Sequence, residues 1–407
     1  MHFEFGFYSS ILLIFFVHGL VYSLLLLQKG IRNETASDQW LSVFLLLSVL
    51  YISPWMLGFA GWYDTQPFRD IIFYVTFQHL FFIGPVIFFY VQSLLNPSFR
   101  FSKKHWWHLV PGCLYLLYTV LIVVVDKLIV KDYYFLEEGT DREFDFWYQT
   151  LGYISMAIYF GASIRYYYLY KQLMVQVVSY ADAIQFKWVR NFLFAILSIL
   201  ILKFILFIIS LFFSIAYIGT WWYFLGFSIA MYYIAVSGYA NSVRTKMRFS
   251  ADVFSSKSAL LLQYHTVNDA LVEEAEMIVM DDQTSSKESD DAFIKEWKDK
   301  IQEMVVAFKM YEEPELSLTD LANKLRTNPS LLSRAINKGF GMNFNDFVNY
   351  YRVQAFMEKL KMGEQKSQTL LSIAYDCGFN SKATFNRAFK KATGTSPKTW
   401  MEQEGLV

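Results

Sequence analysis

Seven stretches of the chain carry apolar side chains all the way round, with no polar face at helical period: Tyr8–Leu27, Trp40–Ala60, Ile71–Leu95, Trp107–Val125, Trp147–Tyr168, Asn191–Tyr217 and Trp221–Ala240. A helix needs roughly 20 such residues to cross about 30 Å of hydrocarbon at about 1.5 Å per residue. Helices buried in a soluble core would keep a polar side toward water, which these runs lack. The pattern therefore predicts seven membrane-crossing helices over residues 1–248. Beyond them the period changes. Phe293, Ile294, Trp297, Ile301, Met304, Val305 and Phe308 recur at intervals of three and four, which predicts one amphipathic helix over Asp291–Met310. It either packs on the domain that follows, the favoured arrangement, or pairs with its copy in a homodimer.

Charge divides the chain further. Thirty-six Lys and Arg balance thirty-six Asp and Glu overall, yet residues 249–315 hold 6 basic and 16 acidic side chains and residues 316–407 hold 13 basic and 7 acidic. We expect four parts: a membrane domain (1–248), an acidic flexible connector (249–291), the amphipathic helix (292–311) and a basic domain (312–407). A flexible connector cannot carry a rigid rotation, which favours signalling by dimerisation, local concentration or proteolytic release. At 55% hydrophobic and 18% charged, the composition excludes an ordinary soluble enzyme. Its two cysteines, Cys113 and Cys377, offer no disulfide framework.

The short loops set an orientation. Lys29, Arg32, Arg100, Lys103, Lys104, Arg165, Lys171, Lys187, Arg190, Arg244, Lys246 and Arg248 fall on one side, and only Arg69, Lys127, Lys131 and Arg142 on the other. Positive charge stays inside, so the N-terminus is expected outside and everything after residue 240 in the cytoplasm of a plasma (inner) membrane protein. Within the spans no acid lies well inside, and Lys203 is the outstanding charge. It should find carbonyls or tyrosine hydroxyls in the bundle, or else form an anion site for a small ligand or membrane signal, with His79 as a further polar candidate.

The last ninety or so residues contain a repeat. The segment Asn328-Pro329-Ser330-Leu331-Leu332-Ser333-Arg334-Ala335-Ile336-Asn337 returns 53 residues later as Ser381-Lys382-Ala383-Thr384-Phe385-Asn386-Arg387-Ala388-Phe389-Lys390. Each copy opens on a capping residue and repeats apolar side chains every fourth position. The opposite faces carry Ser330, Ser333, Arg334 and Asn337, and Lys382, Ala383, Asn386, Arg387 and Lys390. A short helix and a tight turn precede each copy, over Leu318–Leu325 and over Leu370–Cys377 ending at Gly378, so two helix-turn-helix units result. Asn343–Met362 joins them as a helix of roughly 30 Å, close to the 34–36 Å or so between successive major-groove faces on one side of a duplex.

These residues resemble the DNA-binding domain of the AraC/XylS family over about Glu315–Glu402. The second unit carries the specific signature: Ile373-Ala374-Tyr375-Asp376-Cys377-Gly378-Phe379, then Ser381, Phe385, Arg387, Phe389-Lys390, Gly394 and Ser396-Pro397. Asn343-Phe344, Phe347 and Tyr351-Arg352-Val353 look like the family's connecting helix. The resemblance implies base-reading helices at Pro329–Lys338 and Lys382–Ala392, promoter duplex DNA as ligand and RNA polymerase as a partner. In the first reading helix Ser330 and Ser333 stand where longer side chains are common, which leaves Arg334 as its main reader.

Phosphate-loop, zincin, hydrolase-elbow and Cys-x-x-Cys motifs are absent, so no enzyme activity, cofactor or metal is implied. The expected protein is all-α, a seven-helix transmembrane bundle followed by a cytoplasmic double helix-turn-helix domain. Its expected role is to couple a signal at the lipid bilayer to promoter binding. A transporter or channel with a DNA-binding regulatory tail is the alternative.

Overall fold

A computed structural model describes residues 4–96, 99–136, 142–180, 187–214, 216–240, 249–251, 260–262 and 287–406. The chain forms two compact units, Met1–Tyr167 with Phe186–Ala259, and Tyr168–Gln185 with Leu260–Val407. Among the described residues the chain is helical apart from loops and two three-residue strands, Phe249–Ala251 and Leu260–Leu262.

In the first unit α1 (Phe7–Arg32) and α2 (Ala36–Phe59) pair along their length, and α2 also packs on α4 (Leu80–Leu95) and α8 (Trp221–Ala240). Small residues permit this close approach. The buried stripe of α1 includes Ser9, Gly19, Ser23 and Gly30. The Ser23 hydroxyl donates to the Ser42 carbonyl at 2.9 Å, and the Ser42 hydroxyl donates to the Ser23 carbonyl at 2.7 Å. Between apolar helices in lipid such bonds and close contacts supply the association that the hydrophobic effect supplies in water.

Five described helices are long and apolar enough to cross a membrane: Phe7–Arg32, Ala36–Phe59, Val110–Val130, Trp188–Phe212 and Tyr217–Ala240. The remaining two expected spans differ. The third run is not one helix: α3 (Phe68–Tyr74) and α4 are separated by an unwound stretch, Val75–His79. The fifth run lies within α6 (Phe146–Val177), a 32-residue helix that outlasts the apolar run and whose residues from Tyr168 onward belong to the second unit.

The break has a local cause. The Glu143 carboxylate accepts from the backbone N–H groups of Phe77, at 2.5 Å, and Gln78, at 2.9 Å. The Tyr148 hydroxyl donates to the Gln78 carbonyl and accepts from the Leu80 N–H. Backbone groups freed from a helix need such partners when water is absent. The expectation of acid-free spans misses this, because Glu143 lies outside every apolar run and folds back onto one; it is 3% exposed. Asp126 is fully buried, accepting from the Tyr74 hydroxyl and the Phe135 N–H.

In the second unit α9 (Lys287–Ala307) starts before the expected Asp291. Most of the expected acidic connector lies outside the described residues. The amphipathic helix packs on α11 (Pro329–Phe340), burying Ile301 and Val305. The first helix-turn-helix is α10 (Leu318–Lys324) with α11. The connecting helix is α12 (Phe344–Lys361). The second unit of the repeat is α13 (Leu370–Asp376) with α14 (Lys382–Thr393), followed by α15 (Pro397–Gln403). Val353, Phe356, Leu360, Ile373, Cys377, Phe379, Phe385 and Phe389 form one core around the second repeat. Gly378 has φ of +90°, and a Cβ there would lie 2.3 Å from the Tyr311 carbonyl oxygen, so this turn admits only glycine.

Two outcomes follow. A Cβ at Gly30 would lie 2.9 Å from the Gln39 backbone nitrogen, whereas one at Gly161 meets nothing within 4 Å. Gly30→Val should therefore destabilise the folded protein in detergent by about 1–3 kcal/mol and Gly161→Val by much less, as read from thermal melts. Burial pushes the Cys377 thiol up to about 12, leaving about one in ten thousand ionised at pH 8. Alkylation of Cys377 at that pH should wait for unfolding by denaturant, and prompt labelling of Cys377 itself in a Cys113→Ser background would contradict the packed core.

Candidate nucleic-acid interface

Each long helix of the repeat, α11 and α14, begins at a side-chain cap. The Asn328 side-chain oxygen accepts from the Ser330 N–H at 2.7 Å, with Pro329 as the first helical residue. The Ser381 hydroxyl accepts from the Thr384 N–H at 3.1 Å. Such caps satisfy N–H groups that a helix start leaves open, and they fix where each helix begins relative to its turn. The helices end at Gly341 and Gly394, both in the left-handed region.

The apolar sides then determine which residues face outward. Leu332, Ala335 and Ile336 are buried on α11, and Thr384, Phe385 and Phe389 on α14. On the other side of α11 Ser330 and Asn337 are exposed, and Ser333 and Arg334 are half-buried, with the Asn337 amide 3.4 Å from the Ser333 hydroxyl. On α14 Lys382, Ala383, Asn386, Arg387 and Lys390 are all exposed. Of the nine residues picked out from the repeat, seven are thus exposed, and Ser333 and Arg334 are half-buried. The two faces differ in character: the first is mainly hydroxyl and amide around one Arg, and the second carries three cations.

Two determinants of this geometry escape sequence reading. Lys391, one position beyond the outward set, reaches Asp346 at 2.6 Å and ties the end of α14 to the start of α12. Arg352, one of the thirteen basic residues of the C-terminal domain, is not on its surface: it is fully buried on α12. It donates to the carbonyls of Tyr311 and Glu313, each at 2.7 Å, and to the Asn349 side-chain oxygen at 3.2 Å. Burial pulls its guanidinium down to about 10, still charged at neutral pH. No periodicity marks a buried Arg, although its place within the connecting-helix motif was a usable signal.

The two candidate membrane residues lie among different neighbours. The Lys203 ammonium stands 4.9 Å from the centre of the Tyr153 ring and 5.1 Å from that of Tyr223. The Tyr51 hydroxyl bonds to those of Tyr153, at 2.6 Å, and Tyr223, at 3.1 Å. Lys203 thus meets ring faces of a linked tyrosine group, where carbonyl or hydroxyl bonds had been expected. His79 ends the unwound stretch before α4, its ring beside Phe82.

A family model described as a helix-turn-helix domain matches residues 321–403. An uncharacterized HTH-type transcriptional regulator of Bacillus subtilis, YtdP, is 32% identical over 92 residues, 23% of this chain and 12% of that protein. A regulator of Staphylococcus aureus, SACOL0084, is 28% identical over 102 residues and is matched over 13% of its length. The chain thus spans about an eighth of the length of these two relatives. The probable transcription factor PqrA of Proteus vulgaris is 31% identical over 87 residues, 21% of this chain and 69% of that protein. A solved structure of a protein of unknown function from Listeria innocua shares 30% identity over 26% of this chain and 94% of its own, with a TM-score of 0.23. Through the domain built on this repeat, the chain belongs to the AraC/XylS family of helix-turn-helix transcriptional regulators.

Proposed function

We propose that this protein is a membrane-anchored, sequence-specific DNA-binding transcription regulator that couples a signal at the membrane to promoter binding. The observation that carries this reading is the pair of capped helices, α11 and α14, with apolar sides in the core and polar, cationic sides in solvent. A duplex needs both kinds of contact such faces offer. Arg334 and Arg387 can each donate two bonds to a guanine edge, and Asn337 and Asn386 can address adenine. Lys382 and Lys390 suit phosphate, which sets affinity and register without reading sequence. RNA polymerase is the partner that a regulator bound at a promoter would address.

The membrane half supports anchoring through its five long apolar helices. Loop charges favour an external N-terminus and a cytoplasmic DNA-binding domain, with the broken third run and the long α6 as the two further crossings. The cation among Tyr51, Tyr153 and Tyr223 is the strongest candidate for contact with an anionic group of a ligand.

Arg387→Ala should lower operator affinity of the intact protein by about 1–3 kcal/mol and relax the footprint at one base position. Lys390→Ala should weaken all duplexes alike and flatten the salt dependence by about one counterion. Unchanged binding in a salt titration of both variants would remove α14 from the interface. A phosphatase that works only outside the membrane should be inactive when fused after Val407 and active when inserted between Lys131 and Arg142. Activity at Val407 would overturn the topology.

A further inference from the structure

The chain leaves α6 at Val177, and the next two residues are built into the C-terminal unit. Val178 pairs with Ser317 as an antiparallel bridge. The Ser179 N–H and hydroxyl both donate to the Leu316 carbonyl, at 3.1 and 2.7 Å. From the other side α12 supplies a column of polar side chains. Asn345 donates to the Val178 carbonyl at 3.2 Å, and Asn349 donates to the Ser179 carbonyl at 3.2 Å. Arg352 donates to the Ser179 hydroxyl at 3.1 Å. Positions 345, 349 and 352 are four and three apart and so share one face of the helix.

This face is otherwise anomalous. Asn345, Asn349 and Arg352 are at most 4% exposed, as are Val178 and Ser179. Buried amide and guanidinium groups persist where partners satisfy them, and much of that partnership comes from the two residues after α6. The connecting helix they line also contacts both α11 and α14, the helices that carry the outward faces.

We propose that Val178–Ser179 is a strap that grips the DNA-binding domain on its connecting helix, independently of the chain that enters through residues 249–291. A movement of α6 then reaches the helix between the two reading faces directly, through a hydrogen-bonded seam. The expected transmission by release or local concentration is not needed. The regulatory meaning rests on the DNA-binding reading above; the seam itself does not.

The test uses the full-length protein in lipid nanodiscs, with a protease recognition site inserted between Ser285 and Ser286. After cleavage and a high-salt wash, without DNA, the C-terminal piece should stay with the nanodiscs. Ser179→Pro, which removes both donors to Leu316, leaves the cut piece unchanged in sequence and should raise its released fraction at least about fivefold, the least that losing one buried hydrogen bond implies. Asn345→Ala with Asn349→Ala should do the same from the other side, with shielding of Cys377 from alkylation showing that the domain remains folded. Immediate departure of the unaltered piece, or release that Ser179→Pro does not change, would overturn the strap. Operator binding measured separately distinguishes that failure from a failure of the DNA-binding reading.

Discussion

A buried guanidinium organises the C-terminal unit. Arg352 spends its donors on carbonyl, amide and hydroxyl oxygens from three separate stretches of chain: Tyr311 and Glu313 before the first helix-turn-helix, Asn349 on its own helix, and Ser179 after α6. Its Cζ also stands 5.8 Å from the centre of the Phe379 ring of the second repeat. Removing a charge from water is costly unless nearly every donor is satisfied, so these segments must be in place together. The connecting helix is thereby placed against the segment before the first helix-turn-helix, the residues after α6 and the second repeat at once.

The N-terminal unit, with its five long apolar helices, obeys the same constraint. Where α3 and α4 part, the freed N–H groups turn to Glu143 and Tyr148. Where Lys203 enters the bundle, it meets the faces of tyrosines whose hydroxyls bond one another. Both places concentrate polar chemistry in otherwise apolar surroundings.

The two long helices of the repeat were legible because their period is strong and their ends are marked. Asn328-Pro329, Ser381, Gly341 and Gly394 delimit two helices whose apolar residues leave one face over, and seven of the nine residues assigned to that face are exposed, with Ser333 and Arg334 half-buried. Hydropathy located the apolar runs but not their continuity. Nothing in Ile71–Leu95 announces a break at Val75–His79, because the acceptor that stabilises it comes from residue 143. Nor does the end of an apolar run mark the end of a helix, as α6 continues nine residues past Tyr168.

Local rules therefore determined what this protein is made of: apolar helices, a loop-charge asymmetry, and a repeated capped helix with cations on its free side. Each depends on neighbours within a few turns, and sequence spacing reports that range. Tertiary structure alone decided that Arg352 is interior, that Lys391 pairs with Asp346 across 45 residues, and that Ser179 joins a domain beginning more than a hundred residues later. Burial and hydrogen bonding between distant segments depend on which surfaces meet, and a linear pattern of side chains does not encode that meeting in any fixed period.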